Sequence, residues 1–254
     1  MSSLIFLSQE NSMEQMNWRA RPGELDMTRS EARVAASSVF LARVFNWMMI
    51  GLGLTGAVAW MTAHSPLLPM LLSSGLYWAL FVAELVMVFV LASRIDKMQA
   101  TTATGLFVGY AVLNGVTLST LFLAYSGASL ASTFFITAGM FGAMALYGLV
   151  TKRDLTGLGS FLFMGLIGLL LAMVVNFFLH SSTLDLAISV IGVFIFVGLT
   201  AYDTQKIKTM GEQGIMEQGA AAVRKGAIIG ALTLYLDFIN LFIMLLRLFG
   251  GGRD

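Results

Sequence analysis

Cysteine is absent from the 254-residue chain. That excludes disulfides, thiolate metal sites and cysteine nucleophiles. Histidine occurs twice, at His64 and His180, too few for a histidine-built metal centre; both fall in loops, where solvation is their ordinary fate. Charge is scarce: Asp, Glu, Lys and Arg make up 11% of residues, against about 25% in a soluble domain. The net charge of +1 offers no basic patch for nucleic acid. The three prolines, Pro22, Pro66 and Pro69, all precede residue 70, so no later helix is interrupted by one. No Walker loop, GxSxG elbow or HExxH is present. Gly51, Gly53 and Gly56 do match GxGxxG. They lie inside an apolar run with no strand before it, and no acid follows about twenty positions on, so the match is no dinucleotide site.

Apolar residues dominate what remains. They make up 57% of the chain, and the mean hydropathy is +0.83. A soluble fold of this size has no way to hide so much apolar surface, whereas a bilayer replaces water as solvent for the outer faces. Apolar runs recur at 43–63, 76–93, 101–124, 130–150, 158–179, 184–207 and 227–249, each near the roughly 20 residues a helix needs to cross the hydrocarbon. The fold class is therefore an all-α integral membrane protein, a seven-helix bundle over 43–250. Residues 1–42 read as a polar, partly disordered tail. Leu4 to Leu7 is a short apolar run without a basic lead and does not make a signal peptide.

Basic residues alternate between loops. The tail carries Arg19, Arg21, Arg29, Arg33 and Arg43; every second loop thereafter holds Arg94 and Lys97, then Lys152 and Arg153, then Lys206, Lys208, Arg224 and Lys225. The positive-inside rule puts the N-terminus in the cytoplasm. Arg247 and Arg253, at the far end of span seven, break the pattern; a full crossing is nevertheless expected. Trp47 and Trp60 suit the two interfaces of span one. Gly105/Gly109 and Gly226/Gly230 have the four-residue spacing of close helix contacts.

Three acids, Glu84, Asp203 and Asp237, fall well inside apolar runs. A charge at the centre of a span costs roughly 2.5–3.5 kcal/mol on insertion scales, so such residues face the bundle interior. Steps of three and four put Gly226, Gly230, Thr233, Asp237, Asn240, Met244 and Arg247 on one face of span seven. That stripe is small and polar in a helix otherwise of Leu, Ile and Phe, which predicts that span seven sits in the centre. Thr200 lies one turn before Asp203, and Tyr110, Asn114 and Thr117 give span three a polar edge. Glu84, Asn114, Thr200, Thr233, Asn240 and Arg247 are candidate pore or stripe residues.

Asp203 and Asp237 on neighbouring inner helices suggest a dyad. Close carboxylates cannot both ionise cheaply, and they titrate as a unit. Such a pair can share a proton, bind a hard cation such as Ca²⁺ through oxygens, or cleave peptides. Tyr202-Asp203 resembles the first motif of the GxGD-type intramembrane proteases, but Leu234-Tyr235-Leu236-Asp237 lacks the glycines of the second motif, and no Pro-Ala-Leu occurs. A non-enzyme without a resident cofactor is expected.

Four segments carry a resemblance: Gly139–Gly148 (GMFGAMALYG), Thr151–Leu155 (TKRDL), Gly198–Gln205 (GLTAYDTQ) and Leu234–Phe242 (LYLDFINLF). With these, in this order, the chain resembles the Bax inhibitor-1 family (transmembrane Bax inhibitor motif proteins), in its bacterial YbhL/YccA-like branch, over about residues 35–250. The resemblance implies a seven-helix bundle in the bacterial inner membrane with the last helix central. It also implies a pH-sensitive Ca²⁺ leak in which an aspartate pair on the last two helices, here Asp203 and Asp237, acts as proton sensor and gate. A basic latch near the end of the second helix falls nearest to Arg94, and Glu84 matches an acid found in some members. Some bacterial members instead bind and modulate a membrane-anchored AAA protease, a role to which the N-terminal tail is suited. The partners implied are thus the lipid bilayer, Ca²⁺ and H⁺, or that protease.

Overall fold

A computed structural model describes residues 22–251, except for the side chains of residues 22–30 and of Asp96. The tail before Pro22, with Arg19 and Arg21, and Arg253 lie outside the described residues. The described chain is helical throughout. In order come α1 (Pro22–Ala63), the short α2 (Leu67–Ser73), α3 (Leu76–Arg94), α4 (Ala100–Leu118), the single turn α5 (Leu121–Ala124), α6 (Gly127–Val150), α7 (Thr156–Leu179), α8 (Ser182–Glu212) and α9 (Ala220–Phe249). Seven helices among the described residues are long and apolar enough to span a membrane. All seven coincide with the expected spans, α4 and α5 together forming the third.

Two differences from the sequence reading have local causes. First, α1 starts at Pro22, so 22–42, polar enough to read as part of a tail, is helical and continuous with span one. Its inner face is occupied: Phe40 and Ser37 are buried, and the Ser37 hydroxyl donates to the Lys208 carbonyl at 3.0 Å. Second, α8 and α9 overrun their apolar cores at the basic end, where both pack against this extension of α1. The break between spans three and four falls between the expected runs and is made by Ser126. It caps α6 by accepting from the Ser129 amide at 3.1 Å, in extended backbone that no helix can continue.

The turn between α7 and α8 is equally specified. His180 adopts φ 51°, an uncommon left-handed conformation for a residue with a side chain. It ends α7, with its amide on the Asn176 carbonyl at 2.8 Å. Ser181 then caps α8 through the Leu184 amide at 3.3 Å. At the basic end, the loop before α7 is held by Asp154, which accepts from the Thr156 hydroxyl at 2.6 Å and the Thr156 amide at 2.9 Å. These bonds hold the Asp154 carboxyl below the usual carboxylate range.

The last helix is the axis of the bundle. It packs on α1, α4, α6 and α8, and 67% of its apolar window is buried, against 11% for α3 and α7, whose outer faces meet lipid. Most of α9 is buried: Leu234, Tyr235 and Leu241 are inaccessible, as Asp237 nearly is. The polar stripe straddles the border of its one less buried side: Gly226, Gly230, Asp237 and Met244 are buried, whereas Thr233 and Asn240 are partly exposed and Arg247 is exposed. Among the paired glycines, Gly226 and Gly230 abut side chains of neighbouring elements, whereas Gly105 has open space. Gly148 of α6 touches the carbonyl of Ala201 on α8 so closely that any Cβ would strike backbone.

Candidate functional site

Asp203 of α8 and Asp237 of α9 lie on adjacent antiparallel helices, 9% and 5% exposed, close enough for each carboxyl group to act electrostatically on the other. Two carboxyl groups bond directly only when a proton lies between them. Asp237 Oδ2 is buried with no hydrogen-bond partner among the described residues. Lys206, one turn beyond Asp203, is the cation that acts electrostatically on Asp203. Its ammonium stands 5.9 Å from the centre of the Tyr202 ring.

The helix that carries Asp203 is anchored just past it. Gln205 is a two-way clamp on the loop before α7, accepting from the Leu155 amide at 2.9 Å and donating to the Arg153 carbonyl at 2.8 Å. Lys208 donates to the Leu149 carbonyl at 2.8 Å and pairs with Glu212 at 3.8 Å. The basic end of α8 is thus held against α6, α7 and α1.

A second buried polar cluster lies on the other side of α9. Thr117 donates to Glu84 Oε1 at 2.6 Å, and the Asn114 side-chain amide donates to the Tyr110 hydroxyl at 3.5 Å. The Tyr235 hydroxyl donates to Asn114 Oδ1 at 3.1 Å and stands 2.7 Å from Thr55 Oγ1, which also reaches the Ala111 carbonyl at 2.8 Å. Two hydroxyl protons serve three contacts, so at any instant one contact has none. Glu84, 7% exposed, is held by a neutral donor; neither salt bridge among the described residues involves it.

The structure distributes the other expected residues unevenly. Thr200 and Thr233 donate to their own helix, at the Phe196 and Ile229 carbonyls, 2.7 and 3.0 Å away. Asn240 does the same at the Leu236 carbonyl, 2.8 Å away. Arg247 pairs with Asp185 of α8 at 3.1 Å, which accounts for a basic residue at the otherwise uncharged end. Arg94 ends α3 with its side chain exposed and belongs to neither ion pair found among the described residues. Tyr235 and Thr55 were not legible as site residues: each is a single polar group in an apolar run, with no helical partner of its kind.

Comparison with known proteins agrees with this arrangement. The family model described as inhibitor of apoptosis-promoting Bax1 matches residues 37–254. The chain belongs to the Bax inhibitor-1 family. Inner membrane protein YbhL of Escherichia coli K12 is 53% identical over 221 residues, covering 86% of this chain and 94% of that protein. An uncharacterized protein of Deinococcus radiodurans is 46% identical over 215 residues, covering 85% and 91%; RP147 of Rickettsia prowazekii, also uncharacterized, is 46% identical over 217 residues, covering 85% and 90%. This Bax inhibitor-1 family member is an integral inner-membrane protein, as its seven apolar helices and its inner-membrane relative support. Among the described residues no three or more His, Asp or Glu side chains gather as a metal site. The dyad supplies at most four carboxylate oxygens, fewer than the six to eight oxygen ligands that a Ca²⁺ ion takes.

Proposed function

We propose that this chain is a pH-sensitive Ca²⁺ leak gated by Asp203 and Asp237. What supports the reading is a pair of buried carboxyl groups, Asp203 and Asp237, brought together on the two most buried helices. With one shared proton the pair is a tie between α8 and α9. Without it, two like charges face each other out of water, and their repulsion is relieved by separating the helices or by admitting a cation. A divalent cation with hard oxygen preference fits that second outcome. The test is Ca²⁺ entry into proteoliposomes that contain an entrapped indicator, followed across pH. The leak reading requires entry above that of empty vesicles, dependent on pH and altered by Asp203→Asn.

A second reading, an adaptor for a membrane-anchored AAA protease, draws on α1. Its residues Glu31 to Ala35 are exposed and helical beyond the bundle, as a docking handle would be. Co-purification of the protease with the full chain, lost on deletion of residues 1–35, together with no Ca²⁺ entry at any pH, would favour it.

A further inference from the structure

α1 and α6 each pack on α9 but leave a wedge between them at the end of the bundle away from the Lys/Arg loops. The wedge is a cavity of about 750 Å³, floored by Phe238 and Phe242 of α9 and walled by Leu52 and Ala59 of α1 and Leu130 and Phe134 of α6. We propose that this wedge holds one acyl chain of a phospholipid from the adjoining leaflet.

Three observations point to that occupant. The first is length. The α1 wall runs from Leu52 to His64, twelve residues at a rise of 1.5 Å, or about 18 Å. This is close to the depth of one leaflet, half of the roughly 30 Å hydrocarbon core. The second is chemistry. The walls are almost wholly apolar, and the hydroxyl deepest in the wedge, that of Thr55, is already engaged with Ala111 and Tyr235. Water needs two to four polar partners to stay in a cavity and finds them here at the mouth alone. The third is the mouth itself. Trp60 and His64 stack there with ring centres 4.7 Å apart, beside Tyr125 and Ser126, the amphipathic company that a headgroup region favours. An empty wedge of this size would forfeit the dispersion contacts of its lining, and the medium beside it supplies chains that fit. A chain seated there covers Thr55 and so closes the Glu84–Asn114–Tyr235 cluster from that end. The proposal does not depend on the leak reading, and its test reads occupancy rather than flux.

The test uses the full chain in phosphatidylethanolamine–phosphatidylglycerol vesicles with a trace of phospholipid bearing a diazirine midway along one acyl chain, irradiated, digested and mapped by mass spectrometry. Labelling is expected to concentrate on the segments around Phe134 and Phe238–Phe242. It should fall about tenfold, the equivalent of 1.4 kcal/mol, in Ala131→Trp, which fills the wedge. Gly56→Leu, at a position whose added Cβ meets nothing, repeats the measurement should the tryptophan variant misfold. Labelling no stronger than at the lipid-facing Phe161 and Phe178, and unchanged in both variants, overturns the proposal. So does Phe242→Cys reacting with a charged thiol reagent as fast as the exposed Ser74→Cys, because the wedge then holds water. Displacement of the label by free fatty acid at equal concentration overturns the assignment to phospholipid.

Discussion

Tyr235 and Asp237, two residues apart on α9, point into two separate polar clusters. The Tyr235 hydroxyl meets Thr55 of α1 and Asn114 of α4, while the Asp237 carboxyl meets Asp203 of α8. Two steps of a helix turn the side chain by about 200°, so one helix serves both sides of the bundle. Any rotation or shift of α9 that breaks one cluster disturbs the other.

The dyad is expected to behave as a unit. Asp203→Asn and Asp237→Asn each keep size and hydrogen-bonding capacity while removing one titratable group. On the leak reading each should flatten the pH dependence of Ca²⁺ entry into proteoliposomes, and the double variant should add little to either, since closely placed carboxyl groups titrate as a unit. Wild-type pH profiles in both single variants would make the pair a structural tie and shift weight to the adaptor reading.

The Tyr235 cluster is expected to be structural currency that can be measured. Tyr235→Phe removes the hydroxyl shared by Thr55 and Asn114 and leaves both in an apolar setting. The cost is about 1 kcal/mol, in keeping with hydrogen bonds within membranes, and the melting temperature in detergent should drop by about 2–4 °C. Thr55→Val alone should cost a similar amount, and the pair less than the sum of the two. Full additivity would mean that Thr55 and Tyr235 do not interact.

Gly148 should resist substitution. A methyl group there strikes the Ala201 carbonyl, two residues from Asp203, and must push α6 from α8; overpacking of this kind costs about 1–3 kcal/mol. Gly139 and Gly142, on the same helix with nothing near their Cβ positions, should accept alanine with no loss, or with a gain of up to about 1 kcal/mol from the stiffer helix. Equal melting temperatures for Gly148→Ala and Gly139→Ala would refute the close approach.

Side-specific labelling tests the orientation. The chain has no cysteine, so Ser74→Cys and Gln218→Cys, both at exposed positions, are single reporters without further engineering. With a cytoplasmic N-terminus, an impermeant thiol reagent added outside spheroplasts reaches Ser74→Cys and not Gln218→Cys. Reaction of both from one side rejects seven crossings.

Asp154 predicts a pH effect confined to acid. Its pKa is lowered by the Thr156 hydroxyl and then by the Thr156 amide. The order it lends to the start of α7 is therefore present above the ordinary carboxylate range and lost only as pH falls through the lowered value. Hydrogen exchange at the Thr156 amide should be faster in Asp154→Ala than in wild type at neutral pH. An unchanged rate would show that the cap does not protect it.

The membrane-spanning helices could be read from the sequence because lipid imposes a local rule: about 20 apolar residues per crossing, with every backbone group satisfied within its own helix. The same rule made Asp203, Asp237 and Glu84 conspicuous, since an acid inside such a run has to face protein. Helical periodicity went further and placed α9 at the centre, although its Thr233 and Asn240 proved to be bonded to their own backbone. The pairing of Asp203 with Asp237 was already suggested by their places on the last two spans, but the other partners were decided by tertiary packing alone. Glu84 met Thr117, and Arg247 found Asp185 rather than the dyad. Tyr235 joined Thr55 and Asn114 across 180 and 121 residues, and the helix of α1 ran on through a stretch whose polarity read as a tail. The physical reason is that polarity says only that a side chain avoids lipid. Its partner depends on the rotation and tilt of two helices against each other, which are set by close contacts such as Gly148 on Ala201 and have no counterpart in the pattern of either helix by itself.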